Sequence, residues 1–123
     1  MMDNLYRVPD SWRMALRIVH LGLEILIDVK TVKVIGCAEV SGGTVPDINL
    51  FDLIGHGFNV SERHVLIGME TSGIYLIDQG AATGTSLNGI PLSPLEAQVL
   101  TNGDRIKLGE LEIQVAVVEN PLR

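Results

Sequence analysis

A serine and a histidine stand three residues apart in "FNVSERHVLI", as Ser61 and His64, and an aspartate follows at Asp78. These residue types make up hydrolytic triads, in which an imidazole takes the serine proton and a carboxylate orients the imidazole. No Gly-x-Ser-x-Gly elbow frames the serine, which lies between Val60 and Glu62. The same spacing suits a turn in which the imidazole bonds to backbone and fixes the loop bearing Ser61. That non-catalytic role is the expectation for His64; a small hydrolase using Ser61, His64 and Asp78 is the alternative from another class.

Downstream, "IDQGAATGTSLNG" offers glycines that could cradle a phosphate. It lacks the Gly-Lys-Ser/Thr of a nucleotide loop, and no helical pattern follows it. Gly84 instead suits an unusual backbone angle, and Asn88–Gly89 suits a tight hairpin turn. Cys37, in "VIGCAEV", is the only cysteine, so neither an internal disulfide nor a cysteine-based zinc cage is available. It reads as a small side chain on a surface loop, with a redox role as the alternative. Arg63 is the one cation close to Ser61 in sequence, and its side chain is expected to point away from the loop. Neither a metal site nor a cofactor is expected.

These residues need a scaffold, and period-two alternation supplies one. Trp12, Met14, Leu16 and Ile18 share a face, as do Leu23, Ile25, Ile27 and Val29, and later Leu111, Ile113, Val115 and Val117. Such spacing buries one side of a strand and wets the other. Turn formers punctuate the strands at Ser41–Gly42–Gly43, Thr71–Ser72–Gly73, Asn88–Gly89, Asn102–Gly103 and Gly109. The best helical candidate, "SPLEAQVL", is short and opens with a proline two residues in. Many short strands at regular turn spacing predict an all-β sandwich or barrel. An aromatic content of 4% suits inner faces filled by aliphatic side chains. The 123 residues predict one domain over residues 12–119 behind a loose leader, 1–11, where Pro9 discourages pairing.

Nine Lys+Arg against fifteen Asp+Glu give a net charge of −6, a surface that repels nucleic acid and anionic membranes. Glu24, Asp28 and Lys30 interrupt the most hydrophobic stretch, so no membrane span is expected. The opening residues carry no apolar signal core, and a cytoplasmic setting is the default.

From Val34 to Val115 the sequence resembles a forkhead-associated (FHA) domain. The resemblance runs through "VIGCAEV", "PDINLFD", "VSERHVLI", "YLIDQGAATGTSLNG" and "LTNGDRIKLGELEIQV", in that order. It implies a β-sandwich of two antiparallel sheets with about eleven strands. It also implies a site for phosphothreonine in partner proteins, built from loops at one end. Position by position, the arginine that would hold the phosphate corresponds to Cys37, and the serine that would donate to it is Ser61. Glu62 stands where a basic or amide residue follows that serine. Ala82 replaces a threonine, and Thr83 replaces the asparagine that would grip the peptide backbone. His64, Asp78, Gly84, Thr85, Asn88, Gly89, Gly103 and Asp104 are retained, mostly as residues that hold the loops.

A phosphate needs several strong donors to repay its desolvation. Charge-assisted bonds contribute roughly 1.5–3 kcal/mol each, and a micromolar complex rests on only about 8 kcal/mol in total. Replacing the arginine by Cys37 and placing Glu62 beside Ser61 removes roughly 3–6 kcal/mol of that. The expectation is a protein–protein module of FHA type whose former pocket spans Cys37, Ser61, Glu62, Arg63, Ala82, Thr83 and Asn88. Its partner would be another protein, including a second copy of itself. An active phosphothreonine reader using Ser61, Thr83 and Arg63 is the runner-up.

Overall fold

The computed structural model describes residues 12–39, 45–70 and 73–119. Among these residues, eleven strands form two sheets. They are β1 (Trp12–Ile18), β2 (Leu23–Val29), β3 (Val32–Gly36), β4 (Ile48–Asn49), β5 (Val65–Glu70) and β6 (Gly73–Asp78), followed by β7 (Thr85–Leu87), β8 (Ile90–Pro91), β9 (Ala97–Leu100), β10 (Arg105–Leu108) and β11 (Leu111–Glu119). One sheet has the order β2-β1-β11-β10-β7-β8, the other β4-β3-β5-β6-β9. The predicted sandwich is therefore the observed one, with one departure from purely antiparallel pairing. β3 and β4 run parallel, Ile35 opposite Ile48 and Gly36 opposite Asn49.

The alternation read from sequence decides which side chains meet between the sheets. Met14, Leu16 and Ile18 from β1, and Leu111 and Ile113 from β11, are fully buried against Ile35, Ile67, Ile74 and Leu76 of the other sheet. Burying each such side chain contributes roughly 1.5–3 kcal/mol, which overrides any local preference of these short strands. One expectation needs correcting. Leu23 is exposed, because it opens edge strand β2 beside the β1–β2 turn, beyond the cover of the second sheet. The "SPLEAQVL" stretch is a turn leading into β9, while the only helix among the described residues is a single turn, α1 (Phe51–Ile54).

The leader 1–11 and the turns at 41–43 and 71–72 lie outside the described residues. Registers show which connections share an end. Ile35 and Asp78 both pair with Val65, Thr85 pairs with Leu108, and Ile18 pairs with Ile113. The C-terminal ends of β1, β3, β4, β6 and β10 therefore lie at one end of the sandwich. Ser61, His64, Ala82 and Thr83 all lie there.

Candidate functional site

His64 organises this end. Its Nδ1 accepts the backbone N–H of Ser61 at 3.0 Å, and its Nε2 lies 2.7 Å from the Gly84 carbonyl oxygen. These roles define the neutral imidazole with the proton on Nε2. The ring is wholly buried. Burial pushes its pKa below the ordinary histidine value, while the Gly84 carbonyl and the Asp78 carboxylate oppose that shift. Asp78 is equally buried; it accepts the Gly80 N–H at 3.0 Å and the Thr85 hydroxyl at 2.5 Å. Both imidazole nitrogens are thus committed to backbone groups, and the carboxylate to its own loop. No relay from Ser61 hydroxyl through His64 to Asp78 is assembled.

The loops are tied to one another as well as to the sheets. Thr83 Oγ1 donates to the Asn59 carbonyl at 2.8 Å, and Glu110 N–H donates to the Phe58 carbonyl at 2.9 Å. Gly109 N–H reaches the Gly84 carbonyl at 3.2 Å, and the Asn59 amide bonds the Glu110 carboxylate. Gly84 takes φ +77°, the angle expected of it, which lets its carbonyl meet the imidazole. Gly36 answers a different need. A Cβ there would fall 2.0 Å from the Glu62 carbonyl oxygen, so the end of β3 can abut the 61–64 turn only without a side chain.

Cys37 is not on the surface. It is buried, its Sγ donates to the Gly55 carbonyl at 3.1 Å, and burial raises the thiol pKa. Its N–H bonds the Ser61 carbonyl at 2.9 Å. The cause is α1, whose one turn ends at Gly55 and aims that carbonyl at the thiol. A buried, protonated thiol is a poor nucleophile, which removes the basis for a redox handle.

Sequence reasoning missed Asn49. Its side chain accepts the N–H groups of Ala38 (2.9 Å) and Phe51 (3.1 Å) and donates to the Ala38 carbonyl (2.8 Å), clamping both sides of the β3–β4 connection. Asp47 similarly accepts the Val34 N–H at 2.7 Å. The signal was available in "PDINLFD", where polar residues interrupt an apolar run.

The remaining positions divide. Glu62, Arg63, Ala82 and Thr83 are exposed and Ser61 is half-buried, all on the gathered loops. Asn88 is elsewhere: Thr85 pairs with Leu108 but Leu87 with Ile106, which puts the Asn88–Gly89 turn at the opposite end of β7. There the Asn88 side chain donates to Asp104 at 3.0 Å and accepts the Arg105 N–H at 2.9 Å. Asn88 and Gly89 both have positive φ, matching the tight hairpin expected of them. Among the described residues, no group of His, Cys, Asp and Glu could hold a metal ion, and no helix is long and apolar enough to cross a membrane.

In this two-sheet sandwich the ends of β3, β5, β6 and β7 meet around one buried histidine. Residues 34–109 match the FHA domain family, and the chain belongs to that family of protein-interaction modules. It is 30% identical over 76 residues to the glycogen accumulation regulator GarA of Mycobacterium tuberculosis, covering 62% of this chain and 43% of that protein. The match thus spans less than half the length of the curated relatives. The FHA domain of an Arabidopsis thaliana hypothetical protein superposes with a TM-score of 0.74 at 25% identity, covering 94% of this chain and 93% of that one. A domain solved in a study of phosphothreonine-dependent FHA domain interactions gives a TM-score of 0.64 at 25% identity, with 85% and 95% covered.

Proposed function

We propose that this chain is a protein–protein interaction module of FHA type whose phosphothreonine pocket has degenerated, so that it holds its partner without a phosphate. The observation that carries the reading is the state of Cys37. At the position where the family resemblance places a phosphate-holding arginine, an uncharged thiol turns inward to the Gly55 carbonyl. Two further features support it. The Thr83 hydroxyl is spent on the Asn59 carbonyl. Exposed Glu62 puts negative charge beside Ser61, where an incoming phosphate would meet it. Without a charged fork, phosphopeptide affinity drops by roughly 3–6 kcal/mol from a micromolar complex worth about 8, to millimolar or weaker.

The test is a titration with a phosphothreonine peptide library, together with pull-downs from native lysate before and after phosphatase treatment. Partners that persist after treatment are the expected result. Micromolar binding that dephosphorylation abolishes would overturn the proposal. The competing reading, an active phosphothreonine reader, is favoured by half-exposed Ser61 beside exposed Arg63 and by the 25% identical domain from phosphothreonine-dependent interactions. Ser61→Ala separates the two: partner affinity stays nearly unchanged in a degenerate module and falls several-fold in a reader.

A further inference from the structure

The outer faces of the two sheets differ in the charge they carry. The six-stranded sheet carries cross-strand ion pairs: Arg13–Asp28 at 3.0 Å, Arg17–Glu24 at 3.2 Å and Arg105–Glu112 at 3.0 Å. On the five-stranded sheet, Leu66, Ile77 and Ala97 line up in one outward row and Gly68, Tyr75 and Val99 in the next. None of the six is charged, and none belongs to the core between the sheets. The Tyr75 ring lies over Gly68, where a Cβ would come within 2.4 Å of it.

This apolar layer ends at β9, which has no further strand beyond it among the described residues. Natural sheet edges are normally protected by charge, proline or a bulge. No charged residue and no proline occurs from Ala97 to Gly103, and β9 pairs with β6 in unbroken register. Val99 is 69% exposed, and the strand's approach adds Leu95 at 73%, held at φ +64°, which non-glycine residues seldom adopt.

We propose that a second copy of this chain covers this flank, with the two β9 strands pairing antiparallel about a two-fold axis at Gln98. What the edge requires of an occupant is an uncharged, unpaired strand with apolar residues on alternate positions, and the chain itself presents one. With the axis through Gln98, both apolar faces fall on the same side of a joined ten-stranded sheet. Ala97 then faces Val99 of the second copy, and the two Gln98 amides, each both donor and acceptor, face one another. An axis through Val99 would set Gln98 against Leu100. Charge favours the same arrangement. The two Glu96 carboxylates fall at opposite ends of the strand pair, four residues or about 13 Å apart, beyond the ~8 Å screening length of physiological salt. A chain of net charge −6 can therefore meet its own copy here without like charges in contact.

The test is sedimentation equilibrium of the full chain from micromolar to millimolar concentration. A reversible monomer–dimer equilibrium is expected. Val99→Lys should weaken it about tenfold or more, while Leu26→Lys, at an equally exposed site on the outer face of the other sheet, should leave it unchanged. Gln98→Cys provides a geometric check, because facing residues in antiparallel strands have Cα atoms about 4.5–5.5 Å apart, within disulfide reach. Mild oxidation should link this variant into dimers, Cys37 being buried. A chain that stays monomeric overturns the proposal, even if a strand from a different protein then adds to β9. So does a dimer that Val99→Lys leaves intact, or one that the Gln98→Cys variant fails to link.

Discussion

Beneath the gathered loops lies a frame of His64, Asp78, Thr85 and Gly36, each buried. Above it, Glu62, Arg63, Ala82 and Thr83 stand in solvent. The frame is bound by short, specific bonds between buried groups, whereas at the tips the bond of Thr83 to Asn59 stands in the open. The difference is physical. An unpaired group in the frame would cost about 1–3 kcal/mol, and a changed side chain at a tip about 1 kcal/mol or less. Side chains can therefore change at the tips while the fold keeps its shape.

The sharpest way to break this contrast is at Gly36. Its missing Cβ would sit 2.0 Å from the Glu62 carbonyl oxygen, backbone against backbone. Gly36→Ala should cost about 3 kcal/mol or more and lower Tm by more than about 12 °C in thermal unfolding. Next comes Asp78→Ala, which orphans the Thr85 hydroxyl and the Gly80 N–H. Its expected cost is about 2–3 kcal/mol by urea denaturation.

A smaller effect comes from acid. The folded-state pKa of His64 is depressed, so the unfolded chain binds the proton more readily and stability falls as pH drops below about 6.5. Protonation puts a hydrogen on Nδ1, which then cannot accept the Ser61 N–H. Denaturant midpoints between pH 7.5 and pH 5, with His64→Gln showing a flatter dependence, would check this. At the tips, Thr83→Val should cost only about 0.5–1 kcal/mol, since its bond to Asn59 is exposed. A larger loss there than at Asp78 would show that frame and tips are not distinct.

Most of the frame could be read in the sequence. Alternation from Trp12 to Ile18 and from Leu111 to Val115 marked strands whose inward residues are the core, and the His64 spacing marked a loop fastener. What escaped the reading lay in directions that spacing does not encode. Cys37 turns inward because a four-residue helix, too short for any periodic signal, presents the Gly55 carbonyl. Asn88 is near the loop in sequence, yet β7 carries it to the far end of the sandwich. The outward apolar rows were hidden because "VLIGM" and "GIYLI" are apolar at consecutive positions, so period two does not say which residues face out.

The cross-links from Thr83 to Asn59, Gly109 to Gly84 and Glu110 to Phe58 join separate connections into one rigid block. A partner docking at this end, as proposed above, would meet a surface whose ordering entropy was already spent when the chain folded. Affinity can then come from a modest contact area, and discrimination from shape held in advance instead of from induced rearrangement.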